Sequence, residues 1–185
     1  MRITGGDLCG RILLVPRSDG IRPTQDRVRA ALFNSLRSEI PGADVLDLFA
    51  GSGAVGVEAL SRGAASATFV EASRRHVAVL RKNLAALKLD AQATVAVADA
   101  YRWIERYAGP GFAFAFADPP YALGEERGYA RVLATLADRG VVRAGGVFVA
   151  EMAAVQKAER TPGWELLRDR AYGRTRLCAW RRIVV

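Results

Sequence analysis

An open, mostly parallel α/β sheet wound by helices on both faces is the fold class this sequence predicts, with an antiparallel hairpin closing one end. Three observations carry it. From Ala43 onward short apolar runs alternate with helical patterns, and that alternation builds right-handed βαβ units into one sheet. The runs are apolar throughout, as strands covered on both faces are. The last two runs lie too close together for a crossover helix, so they pair antiparallel.

Residues 1–40 form a separate piece at the front. Residues 3–16 predict a short β-hairpin turning through Gly5-Gly6 or Cys9-Gly10. Arg22-Pro23-Thr24 leads into an amphipathic helix, with Thr24 as N-cap and Val28, Ala31, Leu32 and Leu36 along its apolar face. Residues 41–185 then hold the α/β domain. Strands are expected at 45–49, 67–71, 93–97, 112–117 and 147–151. Helices are expected near 54–62, 74–87, 100–107 and 129–138. In the second of these Val77, Leu80, Leu84 and Leu87 recur at helical spacing. Runs at 164–170 and 176–184, turning through Tyr172-Gly173, give the terminal hairpin.

Composition narrows the class. At 185 residues, 51% hydrophobic, the chain suits one domain with a small appendage and excludes a disordered class. No apolar stretch approaches the ~20 residues of a membrane span, and Asp7 and Arg11 interrupt any signal-peptide core. Cys9 and Cys178 have no metal-ligand spacing and a single histidine, His76, to join them, so no metal is expected. A reducing cytoplasm suits two unpaired thiols. The net charge of +8 is uneven: residues 1–40 carry +3, residues 160–185 carry +5, and the middle is neutral. Codon bias explains why 24 of the 27 basic residues are arginine. It does not explain why the surplus sits at the two ends, where a polyanion would be gripped.

Four acids fall at four successive strand ends. Asp47 lies four residues ahead of the loop Gly51-Ser52-Gly53-Ala54-Val55-Gly56, a GxGxxG between the first strand and its helix. A carboxylate there repels a pyrophosphate and favours a ligand carrying an ammonium group. Glu71 ends the second strand, where an acid accepts both hydroxyls of a ribose. Asp99 ends the third, placed to accept from an adenine amino group, with a backbone N–H nearby for a ring nitrogen. Any one of them could equally be a helix N-cap. The fourth, Asp118, opens Asp118-Pro119-Pro120-Tyr121. Two prolines stop the strand and stiffen the turn. The turn thus aims a carboxylate, a free carbonyl and an aromatic ring at one spot, a constellation that suits a flat base with an exocyclic amine.

Together these motifs resemble a class I S-adenosylmethionine-dependent methyltransferase, a Rossmann-like fold, and the Asp118–Tyr121 corner resembles those acting on exocyclic amino nitrogens. Almost the whole chain resembles the RsmD family of bacterial 16S rRNA guanine-N2 methyltransferases. The matching stretches include Met1-Arg2-Ile3, Gly5-Gly6, Arg22-Pro23-Thr24, Asp26-Arg27-Val28, Ala31-Leu32-Phe33-Asn34, residues 45–56, Glu58-Ala59-Leu60-Ser61-Arg62-Gly63-Ala64 and Tyr172-Gly173. Ala30, Ser73 and Arg174 depart from the family's usual acids.

The resemblance implies a seven-stranded sheet, S-adenosyl-L-methionine as co-substrate, and a guanine of 16S rRNA as acceptor, in an assembled or assembling small subunit. A monomeric, cytoplasmic enzyme free of any membrane is expected. Catalytic residues would be Asp118, Pro119, Pro120 and Tyr121. Asp47, Phe49, Gly51, Gly53, Glu71, Ala72, Asp99 and Ala100 would hold the co-substrate. Arg2, Arg11, Arg22, Thr24, Arg27 and Arg29 would meet RNA, with Arg168, Arg170, Arg174 and Arg176 as a second bank. Rival readings are a dinucleotide-dependent oxidoreductase, an adenine-N6 methyltransferase, and a non-catalytic RNA-binding assembly factor.

Overall fold

The computed structural model describes residues 1–16, 23–119, 129–158 and 160–183, without the side chains of residues 23–25. Helix α1 (Pro23–Ser35) is followed by β1 (Asp44–Leu48), α2 (Ala54–Ser61), β2 (Ser66–Glu71), α3 (Arg74–Leu87), β3 (Ala93–Val97), α4 (Ala100–Arg106) and β4 (Phe112–Ala117). Helix α5 (Tyr129–Asp138), β5 (Val142–Ala153), β6 (Trp164–Tyr172) and β7 (Thr175–Arg182) complete the described chain. The seven strands form one sheet in the order β3-β2-β1-β4-β5-β7-β6. β1 pairs in parallel with both β2 and β4, while β7 runs antiparallel to β5 and β6. The strand order reverses between β1 and β4, and an open sheet binds its ligand beyond the carboxyl ends of such a pair.

Alternation along each central strand feeds two cores. Val45, Phe114, Phe116, Val147 and Val149 face one side; Leu46, Leu48, Ala115, Ala117 and Phe148 face the other. Asp47 shares the face of Val45, so its carboxyl points toward the side that α2 covers. β5 is longer than the expected 147–151 because it continues through Gly145 (φ 75) to Val142, with a register shift against β4.

The front piece packs into the first core. Ile3, Leu13, Val28, Leu32, Phe33 and Leu36 are buried there, and the Phe33 ring lies 6.3 Å from that of Phe114. The hairpin expected at 3–16 holds a single antiparallel bridge, Arg2 with Ile12, flanked by bonds from Ile3 N–H to Arg11 O (3.0 Å) and Leu13 N–H to Met1 O (2.8 Å), and its turn is also tied to α2. Asp7 N–H donates to Ser61 O at 2.7 Å, and Leu8 N–H to Ser61 Oγ at 3.0 Å. Thr24 is not the N-cap: α1 already begins at Pro23, whose missing N–H costs nothing at a first helical position. Ala31 is only half-buried, and Phe33 takes its place on the buried face.

Glu58, fully buried on α2, ties the pieces together. It accepts from Thr4 N (2.8 Å), Thr4 Oγ1 (2.7 Å), Arg29 Nε (3.2 Å) and Arg62 Nε (2.9 Å). A buried carboxylate survives only with such complete pairing. Asn83 of α3, also buried, clasps Leu14 through both backbone groups and donates to Ser52 O at 2.9 Å. Among the described residues no helix is long and apolar enough to cross a membrane.

Candidate active site

The turn from β1 into α2 is built for close approach. Gly51 and Gly53 take positive φ (57° and 86°). A Cβ on Gly53 would meet Leu80 Cδ1 at 2.3 Å, and one on Gly56 would meet the Phe69 ring at 2.3 Å. Gly56 therefore lets α2 sit hard against β2, and Gly53 lets the loop sit hard against α3. Phe49 is a non-glycine in the same left-handed region (φ 58°), and its ring packs edge-on to Tyr101 at 5.3 Å. Phe49, Ala100, Tyr101, Pro119 and Tyr129 line a narrow apolar slot beyond the ends of β1 and β4.

Two acids brace the loop. Glu71 accepts from Gly51 N–H and Ser73 N–H, both at 2.8 Å. Asp47, 2% exposed, accepts from Gly56 N–H at 2.8 Å. Burial pushes the Asp47 carboxyl up to about 7; the Gly56 bond pulls it down, and the Glu71 charge adds to the rise. A buried acid held this high favours a cationic neighbour.

A second pocket lies near the carboxyl ends of β4 and β5. Ala117 and Ala150 are register partners on these parallel strands, so Asp118 and Glu151, the next residues, stand side by side. Burial first, then the charges of Glu151 and Asp47, hold the Asp118 carboxyl well above the usual carboxylate range. Thr175 Oγ1 donates to Glu151 Oε1 at 3.3 Å, and Tyr129 Oη donates to the Glu151 carbonyl at 2.8 Å. Asp118 and Glu151 open onto this pocket, walled by Leu32, Val55, Phe116 and Leu177, with Arg29 also in its lining. An apolar slot with two acids at one end accepts a flat ring that is rich in donors.

Asp47, Gly51, Gly53 and Glu71 thus gather around one loop, with Phe49, Ala100 and Pro119 on the neighbouring slot. Asp99 is exposed and caps α4, its Oδ1 accepting from Arg102 N–H at 2.9 Å. Ala72 is exposed one residue beyond β2. Pro120, Tyr121 and Arg22 lie outside the described residues, as does the side chain of Thr24. Arg2, Arg11 and Arg27 are exposed. Arg29 corrects the expected RNA bank. It is 5% exposed, and its guanidinium is committed to Glu58, Asp26 (3.0 Å) and the Arg2 carbonyl. Helical position alone cannot distinguish Arg29 from its exposed neighbour Arg27; the partner that buries it is 29 residues away. In the second bank, Arg176 pairs with Asp169 and donates to Ala154 O at 3.2 Å. Glu151 was missed as a site residue, although it is a fifth acid at a strand end and carries the same signal as the other four.

The family model described as Conserved hypothetical protein 95 matches residues 1–181. The chain belongs to this family. Ribosomal RNA small subunit methyltransferase D of Escherichia coli (strain K12) is 48% identical over 124 residues, 67% of this chain. That match spans 62% of the relative's own length. The Haemophilus influenzae protein of the same name is 33% identical over 175 residues, 94% of this chain and 89% of that one. Among solved structures, yhhF of Escherichia coli superposes with a TM-score of 0.87 at 38% identity, covering 100% of this chain and 99% of that chain. The family is the one the sequence motifs resemble, and its sheet is the class I methyltransferase fold they imply.

Proposed function

We propose that this protein transfers a methyl group from S-adenosyl-L-methionine to the exocyclic N2 of a guanine in small-subunit (16S) ribosomal RNA. The observation that carries the reading is the pocket at the carboxyl ends of β4 and β5, where Asp118 and Glu151 face apolar walls beside the glycine loop. The relatives named above, ribosomal RNA small subunit methyltransferases, support the substrate class.

The loop fits the methyl donor. Glu71 stands at the strand end suited to ribose hydroxyls, and the buried Asp47 carboxyl, whose charged form a neighbouring cation would favour, suits an ammonium group. S-adenosyl-L-methionine supplies a methyl already activated by its sulfonium, so the acceptor is the difficult partner. A guanine N2 lone pair is delocalised into the ring. Asp118 and a backbone carbonyl at Asp118-Pro119-Pro120 accept from the two N2–H bonds, which lets that lone pair localise as the new C–N bond forms and the S–C bond breaks. The raised Asp118 carboxyl is suited to take the proton that N2 then sheds. Most of the acceleration comes from positioning and fixed electrostatics. Tyr121 stacks on the extruded base, and the basic residues of 1–40, Arg2, Arg11, Arg22 and Arg27 among them, meet phosphates. The protein works as a cytoplasmic monomer on an assembled or assembling small subunit.

The test is methyl transfer into small-ribosomal particles that lack their guanine-N2 methyl groups, with the modified nucleotides mapped by mass spectrometry. Wild-type protein should add N2-methylguanine, and Asp118→Ala should abolish the product while leaving co-substrate affinity nearly unchanged. N6-methyladenine as the product, or normal turnover by Asp118→Ala, would overturn the reading.

A further inference from the structure

Asp118 satisfies an amine, but an exocyclic amine is common to guanine, adenine and cytosine. Selection among them needs a second group that reads the neighbouring ring nitrogen. Guanine carries a hydrogen at N1, next to its amine, and is therefore a donor at both positions; adenine presents a lone pair at its N1. Glu151 stands beside Asp118 on the adjacent strand, lines the same pocket, and is an acceptor like it. Its carboxylate is steadied by Thr175 Oγ1, and its backbone is fixed by Tyr129.

We propose that Glu151 is the specificity-determining residue of the acceptor pocket, accepting from guanine N1–H while Asp118 accepts from N2–H. Two adjacent carboxylates make an edge that only a base with two adjacent donors completes. Adenine would set its N1 lone pair against the Glu151 carboxylate, two acceptors facing each other in a mostly apolar pocket whose one basic lining residue, Arg29, is already committed to Glu58 and Asp26. Burial first, and then the charge of Glu151, raise the Asp118 carboxyl; two donors arriving between the adjacent acids offset the second of these. Val147–Ala150 lead straight into Glu151, so a rigid central strand aims the reader rather than a loop.

This inference rests on the guanine-N2 reading, and its test separates the two. RNA is assembled by ligation with either guanine or 2-aminopurine at the mapped nucleotide. 2-Aminopurine keeps the N2 amine but carries a lone pair at N1. Wild-type protein should prefer guanine roughly ten- to hundredfold in kcat/KM, the range of one good base-edge hydrogen bond. In Glu151→Gln the side-chain amide can donate to a bare N1. Guanine transfer should fall, 2-aminopurine transfer should rise in absolute terms, and the preference should collapse at least about tenfold. A merely structural role would lower both rates together. Equal wild-type rates on the two bases, or an unchanged preference in Glu151→Gln, would overturn the assignment of Glu151. Should Glu151→Gln not fold, the wild-type comparison decides alone. Absence of any transfer to guanine by wild-type protein would instead sink the proposed function itself.

Discussion

Asp47→Asn should stabilise the protein in the absence of its methyl donor, and more so as pH rises. The carboxyl is 2% exposed and has one described hydrogen-bond donor, Gly56 N–H. Burial moves it from 3.8 up to about 7. Between those two values the folded state keeps a proton that the unfolded chain has already lost, so stability falls as pH rises through the window. A gap of about three pH units, at about 1.4 kcal/mol each, puts the full cost near 4 kcal/mol above pH 7. About half of it is already present near pH 5.5. Asparagine keeps the acceptor for Gly56 and cannot ionise, so its intrinsic cost or benefit does not vary with pH. The stability difference between mutant and wild type should therefore grow by about 2 kcal/mol from about pH 5.5 to about pH 8.5. Urea unfolding followed by tryptophan fluorescence at both pH values reads it, and groups shared by the two proteins cancel. Parallel pH profiles would show that Asp47 is ionised at little cost in the fold, and the argument for a cation beside it would go with them.

Glu71→Gln keeps the shape but loses the charge beside Gly51, and calorimetry should show weaker S-adenosyl-L-methionine binding, with charge-assisted bonds worth ~1.5–3 kcal/mol each before water compensates. Arg2→Gln with Arg11→Gln should lower the log–log salt slope of RNA binding by roughly 0.7–0.9 for each phosphate that the protein no longer neutralises; an unchanged slope would point to the β6–β7 hairpin as the RNA surface. Arg29→Met removes one partner of the buried Glu58 and should cost about 3–5 kcal/mol in denaturant unfolding. A loss of less than about 1 kcal/mol, the range of an exposed pair, would mean that Arg62 and Thr4 suffice.

Much of the sheet was legible because its signal is local. Residues 112–117 are apolar at every position and form β4 with those bounds; the interval between 164–170 and 176–184 leaves room only for a turn, and β6 and β7 pair there. The glycine loop and the acids of β1 and β2 fell where strand ends placed them. What sequence could not supply was pairing across distance. Arg29 reads as one more arginine on a basic helix until Glu58 is seen beneath it. The hairpin at 3–16 reads as self-contained until its backbone is found bonded to Ser61 and Asn83. Asp99 had two readings with one local signature, and the described geometry shows it capping α4.

The bonds that hold the amino-terminal arm also set an order of assembly. Thr4 waits for Glu58, 54 residues further along, and Leu14 waits for Asn83, 69 residues on. Closing loops of that span is slow relative to winding a helix. During synthesis the arm therefore leaves the ribosome well before α2 and α3 exist to receive it. Its arginines are in the meantime unpaired cations on an extended chain, next to the most abundant polyanion in the cell. The arm can become part of the fold only after Glu58 and Asn83 have both emerged, so it is locked later than the helices that receive it are made.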